Sequence, residues 1–291
     1  MKKVFVALAS AAALAASAVV IAEALANAHD VTKGGPIDLI VDQKILQNHW
    51  IIRDENIPAN ACSAIEGGIS GGEHRLLRFA VSTPNIGTGD LFLGDPNEHI
   101  AANDGLYEFA TCHNHFHFRH YALYELIGPD GHVWRAAKRG FCMIDVAPAP
   151  QSADFTQKTW AYRSCGRPGT PGNQGISAGW ADEYWWFLGG QYFVLDGGDG
   201  QAVVPPGIYT IRITVNPGFV PTKNEPIGFA SPDPNHPGVY HQLPETNYEN
   251  NVATATVVVT DHPGRTGVGP AVGESEPKPD KNAGEVIDDP K

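Results

Sequence analysis

A chain of 291 residues with 32 acidic against 20 basic side chains carries a formal net charge of −12. That balance excludes the basic face that nucleic-acid binding needs and is compatible with cationic partners such as amines or lysine-rich proteins.

Met1-Lys2-Lys3 precedes an Ala/Val/Leu run to Ala22, with small-x-small steps at Ala24-Leu25-Ala26 and Ala26-Asn27-Ala28. This reads as a secretory signal peptide over residues 1–28, cleaved near Ala26 or Ala28. The run is also nearly long enough for an uncleaved N-terminal membrane anchor. Either way, the remainder is expected to be secreted or periplasmic. Residues 34–262 suffice for one β-rich domain with a sizeable core. Residues 263–291 are Gly, Pro, Glu, Asp and Lys with almost no large apolar side chains, a composition expected of a disordered tail.

Within the domain, residues 36–42 alternate and predict an opening strand, while 44–60 fit helix or strand. Residues 65–73 are Gly-rich and turn-like. Residues 76–82 (LLRFAVS) predict a strand, followed by a turn at 84–87 and a short strand at 90–93. After the histidine-rich stretch discussed below, residues 121–127 (YALYELI) predict a strand. Gly128-Pro129-Asp130-Gly131 supplies hairpin-turn chemistry and 132–136 the returning strand. Residues 152–175 read as a long loop, of a kind that is functional or tied down. Aromatic residues crowd 176–188, and 191–195, 207–215 and 252–259 are strands. Short strands with no strong helical pattern predict an all-β, sandwich-like single domain with long loops and little helix.

The stretch TCHNHFHFRHY at 111–121 places His113, His115 and His117 at i, i+2, i+4. On a strand, alternate side chains leave on one face, so three imidazoles would enter one space. The Cα atoms of His113 and His117 would stand roughly 13 Å apart, so a slight bend is needed for the rings to converge on one ion. Cys112 would point to the opposite face. Three neutral imidazoles suit Cu(II), Zn(II), Ni(II) or Fe(II), and zinc is the default for three histidines with an open position. The residues alone leave zinc and copper both open. Cys62, Cys112, Cys142 and Cys165 form an even set without a CxxC, favouring disulfides in an exported chain. Spacing does not choose among their three pairings. The remaining histidines (29, 49, 74, 99, 132, 236, 241 and 262) show no ligand spacing.

Cys112-His113-Asn114-His115-Phe116-His117, then His120-Tyr121, then Lys138 three residues ahead of Phe141-Cys142, resembles the catalytic domain of the lysyl oxidases. The resemblance extends back to Leu77-Arg78-Phe79 with Asn85, Gly87 and Asp90, and forward to YTIRITVNP at 209–217 and ETNYENN at 245–251. It implies copper held by His113, His115 and His117. It also implies a lysine tyrosylquinone made by copper-dependent oxidation of a tyrosine and its cross-linking to Lys138. Gln174-Gly175-Ile176-Ser177, Gly179 and Asp182 put Tyr184 in register with the precursor tyrosine. Animal members follow that tyrosine with Gly-Ala-Asp, whereas Trp185-Trp186-Phe187 follow here; such rings would alter substrate access and restrain the tyrosine.

The implied activity is oxidative deamination of primary amines, lysine side chains or small amines, to aldehydes with O2, releasing hydrogen peroxide and ammonia. The quinone serves as electron sink, and Asp182, then His120, are the candidate general bases. His120 alternatively orients a ligand histidine. The resemblance further implies a structural calcium held by Asp38 and Leu39 with Glu245, Asn247, Asn250 and Asn251, and disulfides Cys112–Cys165 and, by remainder, Cys62–Cys142. A non-catalytic copper-binding β-sandwich and a zinc hydrolase are the competing readings.

Overall fold

A computed structural model describes residues 34–66, 68–138, 140–152, 160–221 and 231–265. The signal or anchor segment at 1–28 and residues 266–291 of the expected tail lie outside these. Sixteen strands are described in chain order: β1 (Trp50–Ile57), β2 (Gly72–Phe79), β3 (Val81–Pro84), β4 (Leu91–Gly94), β5 (Tyr107–Ala110), β6 (His115–Phe118), β7 (Ala122–Ile127) and β8 (Val133–Arg135). They continue with β9 (Ala147–Pro148), β10 (Gln174–Ile176), β11 (Trp180–Tyr184), β12 (Tyr192–Val194), β13 (Gly207–Val215), β14 (Ser231–Pro232), β15 (Tyr240–His241) and β16 (Val252–Val259). Described helix is confined to three short segments, Gln43–Asn48, Cys62–Ile65 and Pro96–Ala102. The fold is all-β.

The strands form small antiparallel sheets around a shared core, in the orders β16-β13-β7-β8, β1-β2-β12 and β3-β11-β9, with the pairs β10-β4, β5-β6 and β14-β15. Period-two patterning explains the largest sheet. Tyr209, Ile211, Ile213 and Val215 of β13 face inward beside Ala253, Ala255, Val257 and Val259 of β16, while the alternate residues are more exposed. Strand β2 is covered on both faces, and its buried Arg78 is satisfied by Glu55 at 2.8 and 2.7 Å and by the carbonyl oxygens of Trp186 and Leu188. Phe141 sits at the centre, with Tyr121, Tyr124 and Tyr184 presenting edge-on at 5.3, 5.6 and 5.3 Å between centroids.

Several expectations are corrected. Residues 36–42 make one bridge, Leu39 to Asn85, instead of a full strand; Ile40 and Asp42 donate their N–H to Pro84 and Ser82 along β3. The ambiguous 44–60 segment is both helix and strand, broken at His49. A helix at Pro96–Ala102 was not foreseen, although Asp95 caps it, Pro96 opens it and Asn103 ends it with φ of 51°. Gly264 bridges Ile52, and the Arg265 guanidinium lies 4.6 Å from the Trp50 ring, so the first residues assigned to the tail dock on the domain.

The disulfides are Cys62–Cys112 and Cys142–Cys165, with Cα separations of 5.3 and 5.4 Å. The pairing drawn from the resemblance is therefore wrong for this chain. The helix Cys62–Ile65 lies against the turn that follows β5, which brings Cys62 to Cys112 and leaves Cys165, in the long loop, beside Cys142. The latter bridge ties down that loop, as its length required.

Candidate active site

Strands β5 and β6 form a hairpin in register Tyr107↔Phe118 to Ala110↔His115. His113 is not on the strand. Residues 111–114 are a turn, Asn114 adopts φ of 61°, and its N–H bonds the Ala110 carbonyl at 2.7 Å. Asn tolerates this left-handed conformation better than most residues. The turn carries His113 back over His115 and His117, which share a face of β6. Ring centroids stand 5.7 Å apart for His113–His115, 5.4 Å for His113–His117 and 4.8 Å for His115–His117. A sharp turn, where a slight bend was expected, gathers the imidazoles.

The Nε2 atoms of His115 and His117 are 3.0 Å apart. Imidazole nitrogens bound to one ion at about 2.0–2.1 Å lie about 2.9–3.4 Å apart for angles from right to tetrahedral, so this pair fits two ligands of a single metal. His113 donates Nδ1–H to Glu66 Oε2 at 2.7 Å, which leaves the lone pair on Nε2. Burial, then the charges of Lys138, His115 and His113, hold His117 well below the ordinary imidazole range, so it stands as the neutral imidazole. Among the described residues no group of three or more His, Cys, Asp or Glu side chains is arranged to hold a metal ion as it stands. Three imidazoles are nevertheless the donor chemistry a transition metal takes, and the metal belongs to the proposal below.

Half-buried Lys138 is delivered by the hairpin of β7 and β8. Its Nζ lies 4.4 Å from the centroid of the Tyr184 ring and 5.2 Å from that of Phe141. Tyr184, fully buried at the end of β11, donates its hydroxyl to the Cys142 carbonyl at 3.0 Å. A cavity of about 230 Å³ opens above Lys138, walled by His113, His117, Glu66, Glu108 and Gly140. Gly140 is required there: a Cβ would stand 2.4 Å from His117 Nδ1.

The other candidates fall elsewhere. Asp182 is buried two residues before Tyr184 on the same face of β11, and its charge helps push the buried Tyr121 hydroxyl upward in pKa, after burial itself. His120 lines a different cavity, of about 290 Å³, with Leu123, Pro217, Phe219 and Gln242. Neither lines the Lys138 cavity. Its carboxylates are Glu66 and Glu108, which sequence reasoning missed: Glu66 is 47 residues from His113 and sat in a stretch read as a Gly-rich turn. Trp185 packs edge-on to His49 at 5.2 Å, and Trp186 lies beneath the Arg53 guanidinium at 5.1 Å in a groove that also holds Phe187. The three rings that depart from the animal pattern are thus turned away from the Lys138 cavity.

The second cluster brings Asp38, Leu39, Glu245, Asn250 and Asn251 together. Glu245 accepts from the Leu39 N–H at 2.6 Å, from Asn216 Nδ2 at 2.6 Å and from Asn251 Nδ2 at 2.9 Å, while Asn250 Nδ2 donates to Asp38 at 2.8 Å. Asn247 instead caps a turn through the Glu249 N–H at 3.1 Å. Burial, with the Asp38 charge adding to it, pushes the Glu245 carboxyl up to about 7. The side-chain oxygens of Asn250 and Asn251 are buried without hydrogen-bond partners. Two such oxygens beside two carboxylates are the chemistry a hard cation takes up.

His74 bridges Asp196 at 3.1 Å and the Ser70 carbonyl at 2.9 Å, and His29 lies outside the described residues.

Residues 38–225 match the sequence profile of the family described as Lysyl oxidase. The chain belongs to the lysyl oxidase family. Lysyl oxidase homolog 2 of Gallus gallus is 31% identical over 163 residues, covering 55% of this chain and 18% of that protein. The chain therefore spans less than one fifth of that relative's length. The profile takes in the histidine triad, Lys138 and Tyr184, so the residues that the lysyl oxidase resemblance singled out lie within the matched span.

Proposed function

We propose that this chain is an exported copper-dependent amine oxidase of the lysyl oxidase type. It converts primary amines, lysine side chains or small amines, with O2 and water to aldehydes, ammonia and hydrogen peroxide. The observation that carries the reading is the approach of Lys138 Nζ to the buried Tyr184 ring, Lys138 itself lining the cavity that His113 and His117 also line. Nothing in the spacing of residues 138 and 184 makes that contact necessary.

The three imidazoles would hold copper, which with a lysine tyrosylquinone would supply the redox chemistry and the electron sink for the amine. Lys138 would supply the nitrogen that adds to the Tyr184 ring once copper and O2 have oxidised that ring. Burial of Tyr184, and its hydroxyl bond to the Cys142 carbonyl, fix the ring plane that Lys138 meets. The Glu108 carboxylate at the cavity wall favours entry of a cationic ammonium. Asp38, Leu39, Glu245, Asn250 and Asn251 would hold a structural calcium ion. Two disulfides agree with export to an oxidising compartment. Among the described residues no helix is long and apolar enough to cross a membrane.

The test is peroxide release from amines by copper-loaded protein, with K138A as the control. The reading expects K138A to keep copper and lose amine oxidation; amine oxidation undiminished in K138A contradicts it.

A further inference from the structure

We propose that Glu66 is the positioning residue for His113, and that the Cys62–Cys112 disulfide is the strut that holds it in place. The proposal rests on the copper reading above and adds to it the part of the protein that orients one ligand.

Sequence separates these groups, and the fold brings them to one point. The helix Cys62–Ile65 ends at Glu66, whose N–H bonds the Cys62 carbonyl at 2.9 Å. One helical turn before Glu66, Cys62 is bonded covalently to Cys112, the residue preceding His113. The Glu66 carboxylate then takes three donors from the same two residues. Oε1 accepts the N–H of Cys112 at 2.9 Å and of His113 at 3.4 Å, and Oε2 accepts His113 Nδ1–H at 2.7 Å. One side chain thus fixes both the backbone that carries the imidazole and the ring itself.

The chemical consequence concerns the tautomer. An imidazole that donates at Nδ1 keeps its lone pair at Nε2. His113 needs this more than its two neighbours do. His115 and His117 are braced by the ladder of β6 and are buried, whereas His113 rides on a turn beside Asn114 in the left-handed region. Without Glu66 nothing described on the ring's Nδ1 side would select the ligating nitrogen.

The experiment is titration of metal-free protein with Cu(II) against a competing chelator, read also by electron paramagnetic resonance. Wild type, E66Q, E66A, H113A and E66A/H113A are compared. E66A is expected to weaken Cu(II) binding by about 10- to 100-fold and to change the spectrum. E66Q keeps one acceptor oxygen and should fall between wild type and E66A. In the H113A background, E66A should make less than about a twofold further difference, since its effect passes through that ring. Cu(II) affinity and spectrum unchanged in E66A, or an equal loss with and without His113, would overturn the proposal. If E66A does not fold, E66Q alone carries the test: wild-type affinity and spectrum in E66Q overturn it. Failure of the wild type to bind stoichiometric Cu(II) would instead overturn the copper reading itself.

Discussion

Gly140→Ala separates folding of the domain from integrity of the triad. Residue 140 lies against His117 so closely that a Cβ would stand 2.4 Å from Nδ1, 2.6 Å from the His117 Cβ and 2.7 Å from Cγ. Ordinary contact begins near 3.4 Å, so the nearest overlap is 1.0 Å. The obstacle is the root of a buried imidazole rather than the tip of a flexible chain. His117 is 7% exposed and cannot swing outward without emptying its place between His115 and Lys138. Overpacking of this kind costs about 1–3 kcal/mol, and a ring displaced by about 1 Å no longer keeps the spacing to His115 that suits a shared metal. Urea unfolding of the metal-free protein reads the first effect, and Cu(II) titration against a chelator reads the second. Gly34→Ala is the control, because nothing lies within 4 Å of its Cβ. Wild-type stability together with wild-type copper affinity in G140A would refute the argument that this glycine exists to admit His117.

Removing Cys62–Cys112, which closes a separation of 50 residues, should cost about 4 kcal/mol, and removing Cys142–Cys165, with a separation of 23, about 3 kcal/mol, by loop-closure entropy; denaturant titration of the double serine variants checks the order. Asp145 accepts from Ser177 N, Ser177 Oγ, Ala161 N and Tyr162 N at 2.7, 2.7, 2.8 and 3.1 Å, yet burial outweighs these bonds and raises its pKa. A raised folded-state pKa means that its contribution is complete below the unfolded value and is lost as pH rises through the folded one. Asp145→Asn should therefore cost about 1–3 kcal/mol at neutral pH and more near pH 4; a cost that does not shrink with rising pH contradicts this. Calcium at a hundred times its dissociation constant should stabilise the protein by about 2.7 kcal/mol, and Glu245→Gln should abolish that gain; an equal calcium shift in both proteins places the ion elsewhere.

Much of the fold was legible because its signals are local. The alternation of β13 and β16 and the turn Gly128-Pro129-Asp130-Gly131, where Gly131 takes φ of 82°, each carry their instruction within a few residues. The alternation at 36–42 was equally plain but misleading, because its hydrogen bonds to β3 are too few for a ladder. Asp95-Pro96 is a local helix-start signal set among segments whose patterning is β. The triad and its convergence were legible from spacing, but the sharp turn that gathers it was not, since that depends on the Asn114 conformation and on Glu66 arriving from another part of the chain. The disulfides belong to the same class: four cysteines state that pairs form, and only the packing of Cys62–Ile65 against the β5–β6 turn states which. The approach of Lys138 to Tyr184 is likewise a product of tertiary packing, through Phe141, which both residues touch.

That approach is where the account is most exposed to test. Mass spectrometry of proteolysed protein, after copper loading under oxygen, examines it directly. The account predicts a covalently joined peptide pair containing Lys138 and Tyr184, absent from metal-free protein and from K138A. Recovery of the two peptides separately and unmodified from copper-saturated wild-type protein would contradict it.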